Sequence, residues 1–148
     1  MKRIYIEREK CQGCLTCMFV CMNVHRKDQG VVEDLPFDSG IESRNYSTFA
    51  GKYSTPVICR HCSDPECVAT CMSGALHKDP KSGHVNYDPD RCGQCFMCVM
   101  CCPYGLPRPD RGAGTQVIRC HFCSGIAQGP SCAQACPSGA LSVQGVPE

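Results

Sequence analysis

The sequence predicts a small α+β protein of two similar halves related by a pseudo-twofold, each built from short helices and small hairpins. Three observations predict it. Cysteine supplies 17 of the 148 residues, aromatics supply only 7% and there is no tryptophan, so an apolar core would be marginal. Sixteen of those cysteines fall into four groups of four. The octet CMSGALHK at 71–78 is echoed by CPSGALSV at 136–143, an internal repeat that closes each half with the same device. The length fits one compact domain or two very small ones.

The groups are Cys11-x2-Cys14-x2-Cys17-x3-Cys21, Cys59-x2-Cys62-x4-Cys67-x3-Cys71, Cys92-x2-Cys95-x2-Cys98-x3-Cys102 and Cys120-x2-Cys123-x8-Cys132-x3-Cys136. Disulfides are disfavoured by the odd count and by the expected compartment. The start, MKRIYIEREK, is charged and lacks a signal peptide's apolar run. No apolar stretch reaches the roughly 18 residues of a membrane span. A cytoplasmic, reducing location is expected, where thiols stay free. Zinc calls for two cysteine pairs and has no use for a third cysteine two residues on and a fourth after x3. Groups one and three carry the run of bacterial two-cluster ferredoxins, whose fourth cysteine ligates the other cluster. Two-residue gaps wrap a loop around one [4Fe–4S] cubane. The x3 step advances about 6 Å along a helix and aims the last thiolate at a neighbouring cluster on the order of 10 Å away. Four [4Fe–4S] clusters are expected, about 16 iron atoms per chain. Their charge takes the formal +1 to about −7, and no nucleic-acid-binding surface is indicated.

The elements follow in order. RIYIE (3–7) alternates like a strand before group one. ALHK (75–78) and HVNYD (84–88) flank DPKSG, a turn by composition, so a hairpin joins groups two and three. ALSV (140–143) follows group four and is free to pair with the first strand. Groups one and four then work together, as do two and three. Cluster one takes Cys11, Cys14, Cys17 and Cys136, and cluster two takes Cys120, Cys123, Cys132 and Cys21. Cluster three takes Cys59, Cys62, Cys67 and Cys102, and cluster four takes Cys92, Cys95, Cys98 and Cys71. Sequential pairing, with Cys21 and Cys59 on one cluster, is the alternative. The halves are 1–24 with 114–148, and 54–113. Residues 25–53 are a connecting insertion that covers the clusters or docks a partner, with Tyr46, Phe49 and Tyr53 read first as cover and second as a contact patch.

Other residues are assigned quieter roles. Residues 104–114 read as a solvated Pro/Gly loop. His61 and His121 lie between cluster cysteines and support the site without ligating. Met18, Met22, Met72, Met97 and Met100 pack as filler around inorganic sulfur. Cys101 is the spare thiol and packs as a small buried apolar residue. There is no catalytic signature, phosphate-binding glycine loop or dinucleotide fingerprint, so the chain is expected not to be an enzyme.

The four groups, with x4 in the second and the long gap in the fourth, resemble the four-cluster polyferredoxin subunits of dimethyl sulfoxide reductase, formate dehydrogenase, formate hydrogenlyase and tungsten aldehyde oxidoreductases. PVICRHCSDPECVATCMSGALHKD and RCGQCFMCVMCCPYG resemble more narrowly the iron–sulfur protein associated with carbon monoxide dehydrogenase. The resemblance implies two ferredoxin-like dicluster halves. It also implies single-electron relay from carbon monoxide dehydrogenase to a hydrogenase, a ferredoxin or a flavin NAD(P)H oxidoreductase. Alternatives are a subunit of a formate dehydrogenase, hydrogenase or aldehyde oxidoreductase complex, or a free polyferredoxin.

Overall fold

The computed structural model describes residues 1–25, 42–50, 53–110 and 116–145. In chain order the elements are β1 Lys2–Ile6, α1 Thr16–Val24, β2 Tyr46–Ala50, β3 Tyr53–Val57, α2 Glu66–Ala69 and β4 Leu76–Lys78. They continue with β5 Val85–Tyr87, α3 Met97–Cys101, β6 Arg108–Pro109, β7 Val117–Ile118, α4 Ser131–Gln134 and β8 Leu141–Gly145. The strands form four antiparallel pairs, β1–β8, β2–β3, β4–β5 and β6–β7. This is the α+β architecture of short helices and hairpins that the sequence predicts.

Strand β1 meets β8 with Ile4 opposite Val143 and Ile6 opposite Leu141. Ile4 and Ile6, two apart and so on one face, pack against Leu141, Ile58, Cys120 and Cys132. The β4–β5 hairpin sets Leu76 opposite Tyr87 and Lys78 opposite Val85. Its turn is closed by the Asp79 carboxylate, which accepts from the Lys81 and Ser82 N–H groups at 3.1 and 3.2 Å. Leu76 and Val85 form a second small core with Cys98 and Val117. Helix α1 packs on α4, and α2 on α3. Pro65 and Pro130 precede α2 and α4 at matching places in the repeat.

Two pairs were not expected. The β2–β3 hairpin arises from residues read as the end of a polar insertion and its junction with the second half. It lies against the group-one loop, with Thr55 and Pro56 buried. The β6–β7 pair is only two residues per strand, too short to leave an alternating pattern. Here the expected solvated loop is corrected, because Leu106 and Pro107 are buried and the Arg108 guanidinium donates to the Ser43 carbonyl. Tyr46 is half-buried and donates to the Tyr104 carbonyl at 2.7 Å. The side chains of Phe49 and Tyr53, residues 26–41 of the insertion and residues 111–114 of the loop lie outside the described residues.

Candidate iron–sulfur sites

Each C-x2-C loop places the residue before its second cysteine in the left-handed region: Gly13 at φ 67°, His61 at 46°, Gln94 at 55° and Phe122 at 58°. Such turns gather backbone N–H groups on the concave side, a nest for an anion. Three of the four are not glycine, and each costs about 1–2 kcal/mol, a strain that persists when surrounding structure imposes it. Gly13 has a second constraint, since a Cβ there would lie 2.8 Å from Ser54 Cβ on β3. Gly13→Ala is therefore expected to lower stability by about 1–2 kcal/mol or more and to disturb iron at group one. Gly93→Ala, where nothing lies within 4 Å, is the neutral control. Thermal melts and iron assays of both variants check this, and equal behaviour would refute it.

The folded chain gathers cysteines in two clefts and brings others close enough to feel one another's charge in two further places. Cys11, Cys14, Cys17 and Cys136 line a cleft of about 370 Å³ with Ser54, Pro56 and Leu141. Cys21, Cys120, Cys123 and Cys132 line a second, of about 330 Å³, with Ile58, Arg44, His25 and His121. Burial pushes the Cys67 thiol up to about 12, and the thiolates of Cys59, Cys101 and Cys102 push the same way against Arg119. Cys62 lies half-buried in that loop. Burial likewise raises Cys98 to about 11, with Cys101, Cys71, Cys92 and Cys95 adding to it. Neighbouring places are linked in a row. Cys17 is felt by Cys132, and Cys59 by Cys120, in both cases after burial as the main cause. Cys101 is felt by both Cys67 and Cys98. Cys14 and Cys95 at its outer members are exposed, while all four of Cys21, Cys120, Cys123 and Cys132 are buried, as is Cys98 beside Cys95 in the last set.

The surroundings fit anionic clusters held by thiolates. Backbone N–H groups donate to sulfur from Arg44 to Cys21 at 3.3 Å, Leu76 to Cys71 at 3.3 Å and Phe122 to Cys120 at 3.4 Å. Ser73 and Ser138 sit at matching places in the repeat, each with its hydroxyl 3.7 Å from the sulfur of Cys71 or Cys136. Arg119 is 2% exposed, and its buried Nε has no partner. A buried cation demands an anion, and an oxidised Cys-ligated [4Fe–4S] unit carries about −2.

His61 and His121 both accept a backbone N–H through Nδ1, from Val85 and Ser124 at 3.0 Å each. Burial first, then the Arg119 charge, push His61 down to about 3, so its ring is neutral. The methionine expectation is corrected in part. Met22 is buried, but Met72 and Met100 are 94% and 81% exposed and Met97 is also exposed. For Met100 the cause is directional, since it lies two positions, about 200°, round from Cys98. Cys101 is half-buried rather than buried, with its sulfur 3.3 Å from Thr70 Oγ1.

Comparison with known proteins agrees with this chemistry. Residues 51–146 match the family model of the 4Fe-4S dicluster domain. The chain belongs to the 4Fe-4S dicluster family. The matched span holds groups two, three and four, and similarity to relatives extends over 93% of the chain. It is 36% identical over 151 residues to the probable anaerobic dimethyl sulfoxide reductase chain YnfG of Escherichia coli strain K12, covering 70% of that protein. It is 33% identical over 152 residues to the electron transport protein HydN of the same strain, covering 85%. It is 34% identical over 138 residues to the NADH-dependent phenylglyoxylate dehydrogenase subunit beta of Aromatoleum evansii, but spans only 29% of that subunit. The fold resembles a chain of the active-site complex BamBC of benzoyl coenzyme A reductase, with a TM-score of 0.52 and 25% identity over 97% of this chain and 79% of that one. As a dicluster-family member the protein carries [4Fe–4S] clusters, and it is an iron–sulfur electron-transfer protein of the kind that serves oxidoreductase complexes. Among the described residues no helix is long and apolar enough to cross a membrane.

Proposed function

We propose that the chain is a four-cluster wire that relays single electrons between a catalytic oxidoreductase subunit and a second carrier. One observation carries the reading: four gathered sets of cysteines form a row whose outer members present exposed Cys14 and Cys95 and whose second is buried. We assign Cys11, Cys14, Cys17 and Cys136 to cluster one and Cys21, Cys120, Cys123 and Cys132 to cluster two. Cys59, Cys62, Cys67 and Cys102 are assigned to cluster three, and Cys71, Cys92, Cys95 and Cys98 to cluster four. Each cluster, when bound, takes up and gives off one electron. The residues around it do the rest. Left-handed loop residues turn N–H donors toward sulfur, the x3 step carries the fourth thiolate across to the next set, and α1–α4 and α2–α3 packing holds paired sets together. The halves are 1–24 with 114–148 and 54–113, and residues 25–53 connect them and dock a partner. No residue is assigned a catalytic role.

Carbon monoxide dehydrogenase is the catalytic partner proposed first, on the resemblance in groups two and three. A hydrogenase, ferredoxin or flavin NAD(P)H oxidoreductase is then the second carrier. The names of the relatives support the alternative, a subunit of another reductase or dehydrogenase complex. A cytoplasmic, reducing site is part of the proposal, because the cluster cysteines must stay unoxidised. Anaerobic purification of the native protein is expected to bring down a catalytic oxidoreductase and a brown chain with about 16 iron atoms. A lone monomer that exchanges electrons with many carriers would instead make it a free ferredoxin. Turnover of a small substrate by the chain alone would make it an enzyme.

A further inference from the structure

Arg119 stands immediately before Cys120 of group four, yet its guanidinium serves the other half. Nη1 donates to the Val85 carbonyl on β5 at 2.6 Å, and Nη2 points to Cys59 Sγ at 3.7 Å. The side chain is buried, and among the described residues it has no carboxylate partner; the ion pairs there are Lys10–Glu7 and Arg108–Glu42. The repeat makes this one-sided. In the C-x2-C loops, Cys59 and Cys62 correspond to Cys120 and Cys123, and the left-handed His61 to Phe122. The counterpart of Arg119 is therefore Ile58, which is buried against Cys120 and Cys132 and lines the cluster-two cleft. Where the halves meet, an aliphatic side chain reaches toward cluster two and a guanidinium toward cluster three. Other cations lie nearby. Arg44 is half-buried at the cluster-two cleft and donates to the Arg119 carbonyl at 3.0 Å. Arg3 and Lys78 donate to Ser63, next to Cys62, at 3.0 and 2.6 Å without reaching a ligand sulfur.

We propose that Arg119 is the potential-setting residue of cluster three, its buried charge favouring the reduced form of the cluster held by Cys59, Cys62, Cys67 and Cys102. Reduction adds one negative charge to the cluster, and a fixed cation close to a ligating sulfur lowers the free energy of that state most where water is excluded. A hydrogen bond to the ligand sulfur acts in the same direction. Cluster two receives no such contact from Ile58. Its cation is Arg44, which reaches Cys21 Sγ through its backbone N–H at 3.3 Å rather than through its guanidinium. The two sites therefore receive their positive charge differently at the central step of the relay. The inference rests on the four-cluster reading above.

The test is an anaerobic redox titration of the full chain followed by electron paramagnetic resonance, with cluster three assigned as the wave moved by Cys62→Ser. Arg119→Gln and the apolar Arg119→Met are expected to retain about 16 iron atoms and to make reduction of that one cluster at least tenfold less favourable, about 59 mV for one electron. Any shift of cluster two, whose Cys120 also feels the Arg119 charge, is smaller. Clusters one and four stay in place, and Arg119→Lys, which keeps the charge, recovers most of the shift. Four unmoved waves in either charge-free variant would overturn the proposal. So would loss of one cluster from both charge-free variants, which would give Arg119 a role in assembly. A wild-type chain without about 16 iron atoms would instead remove the four-cluster reading itself.

Discussion

Cys102→Ala is expected to lose one cluster, lowering iron from about 16 to about 12 atoms per chain, whereas Cys101→Ala keeps all of it. The two cysteines are adjacent but differ by about 100° around a helix. Cys101 is the last residue of α3, and its sulfur rests 3.3 Å from Thr70 Oγ1 and 3.6 Å from the Cys98 carbonyl. Cys102 leaves the helix with extended backbone, φ −75° and ψ 115°, and Cys67 on the neighbouring loop feels the thiolates of both Cys101 and Cys102. The Cys101 sulfur is bonded within the helix pair, whereas the backbone turn at Cys102 releases its thiolate to serve the next set in the proposed assignment. Losing the Cys101 contact costs about 1 kcal/mol, which lowers the melting temperature slightly and leaves the iron in place. Iron and sulfide assays on both variants decide it. Loss of about four irons from Cys101→Ala would invert the register and the ligand assignment with it.

Removing the iron is expected to unfold the chain. Helices α2 and α4 have four residues and α3 five, far below the roughly 12 at which an isolated helix becomes even marginal. Among the described residues, Cys21, Cys98, Cys120, Cys123 and Cys132 are themselves part of the buried core. Burial pushes Cys120 up to about 12 and raises Cys132 as well, so without metal these would be neutral thiols facing a cleft of about 330 Å³. The remaining apolar core, Ile58, Leu76, Val85, Val117 and Leu141 with a few neighbours, is small. Ligation of small metal domains is worth on the order of 10 kcal/mol, comparable with the whole stability of an ordinary domain. Anaerobic chelation should abolish the cooperative melt and open the chain to protease. An iron-free chain that still melts cooperatively would show that the core holds the fold unaided.

Much of this was legible because ligand chemistry is local. The x2 and x3 gaps reflect how far a thiolate can reach from its own loop, so sixteen positions stand out from the seventeen cysteines without knowledge of the fold. The repeat CMSGALHK and CPSGALSV likewise marks the matching Cys–Ser contacts, Cys71 to Ser73 and Cys136 to Ser138, because each is made two residues away. The hairpin of β4 and β5 and the pairing of the chain ends were readable from strand patterns beside the cysteine groups. The β2–β3 hairpin was not, since its place is set by contact with Gly13, some forty residues earlier in the chain. The outward methionines were not, because adjacency in sequence to a cluster cysteine leaves the direction of a side chain open: Met22 beside Cys21 is buried and Met72 beside Cys71 is 94% exposed.

The sequence by itself determined the cofactor class, the ligand residues to consider and the two-part plan, all of which depend on spacing within a few residues. Only the tertiary structure decided which half supplies Arg119 to Cys59, why Ile58 stands in its place on the other side and where Cys101 comes to rest. Arg119 and Cys59 are 60 residues apart, and no local pattern marks a guanidinium that crosses between halves. Its position follows from packing two similar units against each other, where one substitution in the repeat gives neighbouring sites different electrical surroundings.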